Sequence, residues 1–257
     1  MIDTHAHLDM PEFDADRHEV IVRAMNVGVH TMITVGVDLE SSAKAIDLAK
    51  QYSGIYAAVG FHPQEAGKME EKDIEKLAEL AKNSRVVAIG EIGLDYYRKR
   101  TPLDKQLQAL KWQLNLARIL KLPVIIHSRE ASSDMLAILK DWCSSPGHRE
   151  RSGVIHCFNS DKEIARSFVN MGFFIAFGAY IGYPSSKLQD TIGSIPEDRL
   201  LLETDCPFLP PQSHRGKRNE PAYLSLTLEA MAKIKNKAPE KIEQVTDMNA
   251  RYLFNIN

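Results

Sequence analysis

Short runs rich in Val and Ile alternate with longer amphipathic stretches from one end of this chain to the other. The runs read as strands: Met1–His7, Thr31–Val37, Tyr56–His62, Val86–Gly93, Val124–Ser128, Gly153–Phe158, Phe173–Ala179 and Leu200–Asp205. Their apolar residues are mostly consecutive, as expected of strands covered on both faces. The stretches between them carry helical periodicity over Glu12–Asn26, Glu40–Tyr52, Glu70–Asn83, Thr101–Leu120 and Ser132–Cys143, and two more, Pro221–Lys235 and Pro239–Phe254, follow the last strand. Thr101-Pro102 reads as an N-cap followed by proline at the first helical position, and Ser160-Asp161 opens a further helix. Eight strands with intervening helices in 257 residues predict a single-domain (β/α)₈ barrel over residues 1–257. An open doubly wound sheet is the alternative, but no Gly-x-Gly-x-x-Gly turn follows the first strand. The basic, Pro-rich stretch Pro207–Pro221 reads as a long loop after the eighth strand.

In a parallel barrel every strand delivers its carboxyl end to one rim. That placement gives meaning to otherwise ordinary residues. His5 and His7 end the first run, two residues apart and therefore on one face of a strand. His62, Glu91, His127, His156 and Asp205 end or lie within the third, fourth, fifth, sixth and eighth runs. The remaining histidines, His18, His30, His148 and His214, fall in helices or loops. A single histidine after an apolar run is most often a satisfied boundary residue, but Glu91 and Asp205 in apolar strands are costly to bury without partners. Together, four imidazoles and two carboxylates make a poor core and a good cage for divalent cations. Six donors exceed the three that one catalytic ion requires, so two ions fit better, with Glu91 bridging. His5, His7 and Asp205 are assigned to one ion, and His127 and His156 to the other.

Composition narrows the function classes. With a net charge of -2 the molecule is not a general polyanion binder, so a nucleic acid would be held by a local patch. No apolar run reaches the length of a bilayer span and no basic-then-apolar leader opens the chain, which points to a cytosolic protein. Three cysteines, Cys143, Cys157 and Cys206, show no Cys-x-x-Cys spacing and read as reduced thiols, the latter two packing beneath helices.

The ordered set Asp3-Thr4-His5-Ala6-His7-Leu8-Asp9, Gly60-Phe61-His62-Pro63, Gly90-Glu91-Ile92-Gly93-Leu94-Asp95-Tyr96, His127-Ser128-Arg129, His156-Cys157-Phe158, Glu203-Thr204-Asp205 and Arg215-Gly216-Lys217-Arg218-Asn219-Glu220-Pro221 resembles the TatD family of metal-dependent deoxyribonucleases. The resemblance spans nearly the whole chain. It implies a barrel metallohydrolase that cleaves DNA phosphodiesters, often from an end, with Mg²⁺, Mn²⁺ or Zn²⁺, and it supports the same six ligands. One departure is Asn159-Ser160-Asp161, where the family carries small residues; this leaves His156 untouched but concerns substrate contacts in that loop.

A two-cation site needs no serine or cysteine nucleophile, and no Gly-x-Ser-x-Gly elbow is present. Asp205 is the candidate proton acceptor, Glu91 the central carboxylate, and His62 a contact to the scissile phosphate or the leaving oxygen. Tyr96, Arg98, Arg129, Arg215 and Arg218 lie in loops above the rim, where aromatic and basic residues suit a single strand. The expected substrate is single-stranded or frayed DNA, which the resemblance implies is attacked in the 3'-5' direction, and the expected state is a monomer or weak oligomer with no membrane attachment. An amidohydrolase or aminoacyl-RNA ester hydrolase on the same binuclear site is the competing enzyme reading, though many such sites bridge their metals with a modified lysine where this chain has Glu91. A non-catalytic binding protein on a retired barrel is disfavoured by the complete ligand set.

Overall fold

The computed structural model describes residues 1–144 and 152–256. His148 lies outside them. Strands β1 (Ile2–Ala6), β2 (Thr31–Val35), β3 (Ile55–Val59), β4 (Val86–Asp95), β5 (Val124–Arg129), β6 (Gly153–Ile155), β7 (Phe173–Phe177) and β8 (Leu200–Leu202) pair in sequential order, all in parallel. Past the ends of β8 and β1 the sheet meets itself: Ala6 bridges Cys206, Asp205 N donates to His5 O at 2.9 Å, and His7 N donates to Cys206 O at 2.8 Å. Asp3 completes the seam by accepting from Thr204 N (3.0 Å) and Thr204 Oγ1 (2.6 Å). The result is a single α/β domain with eight parallel strands in a nearly closed barrel.

Helices α1 (Arg17–Asn26), α2 (Leu39–Gln51), α3 (Asp73–Leu80), α4 (Leu103–Leu120), α5 (Ser132–Ser144), α6 (Lys162–Asn170), α7 (Gln189–Ser194), α8 (Leu224–Lys235) and α9 (Pro239–Phe254) connect the strands or follow them. Strand alternation sorts the apolar side chains into two sets. Met32, Val124, Ile126, Phe173, Ile175 and Phe177 belong to the large cluster beneath the helices. Ile33, Val35, Ile125, Phe174 and Ala176 form the smaller one, the barrel interior, together with Ala250, Leu253, Phe254 and Ile256 at the end of the chain. The last turn of α9 therefore floors the barrel. Each buried Leu or Phe there contributes roughly 1.5–3 kcal/mol, so this terminal helix is part of the core.

The strand order matches expectation, while several element ends shift and one short helix is added. The first helix starts at Arg17, because Pro11–Phe13 winds as a separate 3₁₀ turn. Thr101 does not cap α4: Pro102 occupies that position, and Thr101 Oγ1 donates instead to Gln64 O at 2.7 Å. The short α7 before β8 was not apparent from periodicity, since six residues hold under two turns. Asp161 does cap α6, its side chain accepting from Ile164 N at 2.9 Å. No helix among the described residues is long and apolar enough to cross a membrane.

A network of ions fastens the long loop after β8 to α1. Arg218 bonds both oxygens of Asp16 (2.7 and 2.8 Å) and Glu220 Oε1 (2.9 Å), while Arg23 reaches Glu220 and Asp16. Arg218 hydrogen bonds hold the Asp16 carboxyl down at about 2, with Arg23 adding to the effect. A carboxyl held below its unfolded value of 3.8 stabilises the fold above that value and loses the contribution as pH falls towards 2. The pairs are partly exposed, so Asp16→Asn should cost about 0.5–1 kcal/mol at pH 7, and the gap should close between about pH 4 and 2. Urea melts of both proteins across that range check this; a gap that widens in acid would contradict it.

Candidate metal centre

The seven rim residues come from six strands and converge. His5 and His7 bring their Nε2 atoms to 3.2 Å of each other, and both rings are buried. The Nδ1 of His7 lies 2.8 Å from the Val35 carbonyl oxygen, so that nitrogen carries a proton and Nε2 is the atom that faces the centre. His5 stacks on His156, ring centroids 3.6 Å apart, and its buried Nδ1 has no hydrogen-bond partner among the described residues. Burial and the neighbouring His156 keep His5 below the usual histidine range.

Glu91 occupies the middle, and the backbone puts it there. The β4–β5 register shifts between Ile89 and Ile92, a bulge that turns the Glu91 side chain. Gly90 and Gly93 flank it at φ +143° and +152°; a Cβ on Gly93 would lie 1.9 Å from the His127 carbonyl oxygen. Only glycine lets β4 run this close to β5. The two carboxylate oxygens of Glu91 then face different partners. Oε2 lies 3.6 Å from His5 Nε2 and 3.8 Å from His7 Nε2, while Oε1 lies 2.6 Å from His127 Nδ1 and 3.6 Å from His156 Nε2 and His62 Nε2. Asp205 Oδ1 stands 3.5 Å from His7 Nε2 and 3.8 Å from both His5 and His156. Burial by itself would raise both carboxyls, but the surrounding imidazoles hold Glu91 well below its ordinary value and lower Asp205, so both are anionic at neutral pH.

Two further carboxylates, to which the sequence reading gave no role, orient the ring ligands. Glu203 Oε2 accepts from His156 Nδ1 at 3.0 Å, and its Oε1 accepts from Cys157 N at 2.7 Å. Asp95 Oδ2 lies 3.2 Å from His127 Nε2 and accepts from Gln64 Nε2 at 2.9 Å. Both were within reach of strand alternation: Glu203 precedes Asp205 by two, and Asp95 follows Glu91 by four. His62 Nδ1 accepts from Gln64 N at 3.1 Å, which leaves its Nε2 bearing the proton, and burial pushes the ring down to about 3. His62 is therefore a neutral hydrogen-bond donor. The other histidines sit apart: His18 meets Tyr52, His30 the chain's amino group, and His214 stacks on Tyr223.

The donor set fits divalent cations. His5-His7-Glu91, His5-His156-Asp205 and Glu91-His127-His156 each place three candidate ligand atoms within 4.8 Å of one another. Clustered imidazoles, two anionic carboxylates and one unpartnered buried nitrogen would be a net cost to the fold without positive charge among them, which ring protons on His7 and His156 supply or cations would supply in their place.

The loop residues divide. Tyr97 is exposed and Arg129 lies over its ring at 4.0 Å, a stacked cation–aromatic pair beside His127. Tyr96, by contrast, is half-buried and its hydroxyl donates to Asp134 Oδ2 at 2.5 Å. Arg98 and Arg215 have exposed side chains. Arg218 is engaged differently from expectation: its two terminal nitrogens donate to Asp16, Glu220 and the Glu12 carbonyl, so it ties the loop down to α1. Cys157 also differs. β6 ends at Ile155, and Cys157, at φ +49°, falls outside the strand pattern, its thiol grouped with His156 and Glu203 at the rim. Cys206 is fully buried in the core as expected.

An eight-stranded parallel barrel that gathers buried His, Glu and Asp clusters at its carboxyl rim has the architecture of a metal-dependent hydrolase. The model of the TatD related DNase family matches residues 2–255, and the chain belongs to that family. It is 41% identical over 258 residues to YabD of Bacillus subtilis (strain 168), an uncharacterized metal-dependent hydrolase, with both chains covered completely. It is 35% identical to the 3'-5' ssDNA/RNA exonuclease TatD of Klebsiella pneumoniae (strain 342), covering 100% of this chain and 98% of that one. The crystal structure of YjjV, a TatD homologue from Escherichia coli K12, superposes with a TM-score of 0.93 at 34% identity, over 100% of this chain and 98% of the other.

Proposed function

We propose that this protein hydrolyses phosphodiester bonds at free ends of single-stranded DNA, working from the 3' end, with two divalent cations (Mg²⁺, Mn²⁺ or Zn²⁺) held by His5, His7, Glu91, His127, His156 and Asp205. The observation that carries the reading is the split of Glu91: one carboxylate oxygen faces His5 and His7, the other His127 and His156. Bound cations would supply charge neutralisation to a doubly flanked phosphate and acidify a water molecule.

The remaining work belongs to the chain. Val35 O, Asp95 and Glu203 lock the rings of His7, His127 and His156, so the donor atoms are in place before substrate arrives. Asp205, anionic among the rim imidazoles, accepts the proton of the attacking water as the water oxygen bonds to phosphorus, and passes it to the 3' oxygen of the preceding nucleotide as that P–O bond breaks. His62 donates its Nε2 proton as a hydrogen bond to a non-bridging phosphate oxygen; a ring held neutral by burial suits this role better than that of a proton donor to the leaving oxygen. Arg129 on Tyr97, with Arg98 and Arg215 further out, lies where the rest of the strand would lead away. Tyr96, its hydroxyl held by Asp134, borders the same path.

A single strand can reach a site sunk among six strand ends, whereas a stiff closed duplex cannot. Labelled single strands, blunt duplexes and covalently closed single-stranded circles, digested with one metal and again with EDTA, test the proposal. Linear strands should shorten progressively from the 3' end, circles should survive, and chelation should stop the reaction. Equal rates on circles and free ends would refute it. So would turnover of an amide substrate in place of bis-p-nitrophenyl phosphate.

A further inference from the structure

The loop after β8 carries an exposed aromatic ring to the edge of the metal centre. Phe208 is 40% exposed, and its ring meets His7 edge-on, centroids 5.9 Å apart at 72°. Exposed apolar side chains are commonplace when scattered over mobile loops. This one is different because the backbone beneath it is fastened on every side. Phe208 N donates to Asp205 O at 2.9 Å, and the fully buried Asn219 donates from Nδ2 to both Phe208 O (2.7 Å) and Thr204 O (2.8 Å). Tyr183 OH donates to Pro210 O at 2.6 Å. Between these anchors Leu209 stands at φ +49°, a left-handed conformation disfavoured for a branched side chain. A buried amide and a strained leucine thus hold an apolar ring in water beside a ligand histidine, where burying it against the protein would have been favourable.

The chemistry that fits a rigid, half-open aromatic face beside a phosphate-handling centre is a nucleobase, which every nucleotide carries at a short, fixed reach from its phosphate. Phe208 meets His7 at the β8/β1 seam, whereas the Tyr97–Arg129 pair follows β4 and β5, so the two aromatic groups stem from opposite sides of the barrel. We propose that Phe208 stacks on the base of the terminal nucleotide and thereby makes that base a requirement for efficient cleavage. This rests on the phosphodiesterase reading above and adds to it a specificity residue.

Two otherwise identical single strands, one ending in an ordinary nucleotide and one in a base-less tetrahydrofuran analogue, separate the possibilities. The wild type should show a kcat/KM about tenfold or more higher on the base-bearing end, the size expected of one lost stacking contact. Phe208→Ala should bring that ratio close to one, chiefly by raising KM for the base-bearing strand, whereas Phe208→Trp should retain it. Because the ring is exposed, both variants should melt within a few degrees of the wild type, so a collapsed ratio reports stacking and not folding. A wild-type ratio near one, or a ratio that Phe208→Ala leaves intact, would overturn the assignment while the exonuclease reading stands. Failure of the wild type to cut either strand would overturn both.

Discussion

Replacing Glu91 with Gln should lower turnover of a single-stranded oligonucleotide by on the order of 10³-fold while leaving the fold intact, the upper end of what loss of one charge-stabilising group costs. Glutamine keeps the volume and one acceptor oxygen but cannot serve two imidazole sets as an anion. Both faces of the centre therefore suffer from one substitution: the His5/His7 set, 3.6 and 3.8 Å from Oε2, and the His127/His156 set, 2.6 and 3.6 Å from Oε1. Metal analysis of the purified variant should find fewer than the two equivalents expected of the wild type, with an unchanged circular dichroism spectrum. Near wild-type activity with full metal content would show that Glu91 does not bridge. The same variant tests the electrostatic account, since removing the central anion takes away what the surrounding imidazoles balance.

A second large effect is expected at a residue with no chemistry of its own. Gly93→Ala places a methyl group 1.9 Å from the His127 carbonyl oxygen at a φ of +152°, so the added atom meets backbone and cannot be accommodated by turning a side chain. Strain of this kind costs about 1–3 kcal/mol before the overlap is counted. Strand β4 must then move away from β5, and with it Glu91 from His127. The expected loss exceeds about 3 kcal/mol. In a domain of this size that lowers the melting temperature by roughly 6–12 °C. Thermal melts decide the matter; a midpoint within about 2 °C of wild type would mean that the β4–β5 approach is not a constraint. Any folded fraction should also show impaired turnover, because the Glu91–His127 contact is set by this strand pair.

Much of the molecule was legible in the chain. Eight short runs rich in apolar residues, with amphipathic stretches between, point to parallel strands covered on both faces, and their number in 257 residues, with no Gly-x-Gly-x-x-Gly turn after the first, favours a barrel over an open doubly wound sheet. Once the barrel is granted, the carboxyl ends of the strands share a rim, and the candidate ligands from His5 to Asp205 follow from position along the chain alone. Strand alternation is local, which is why it survives without knowledge of the rest of the fold.

What the sequence could not decide were the partnerships made across long separations. Whether Arg218 offers its fork to solvent or to Asp16, some two hundred residues away, depends on how the loop after β8 folds back over α1. Cys157 left the strand pattern because β6 stops two residues before it, and Phe208 became a ring beside His7 only through Asn219 and a left-handed Leu209. The bulge that aims Glu91, the tautomers set by Val35 O, Asp95 and Glu203, and the division of one carboxylate between two sets of imidazoles are likewise tertiary. Residue type and period fix which groups reach the rim; the directions of their lone pairs, on which metal binding depends, are fixed by hydrogen bonds that exist only once the barrel has closed.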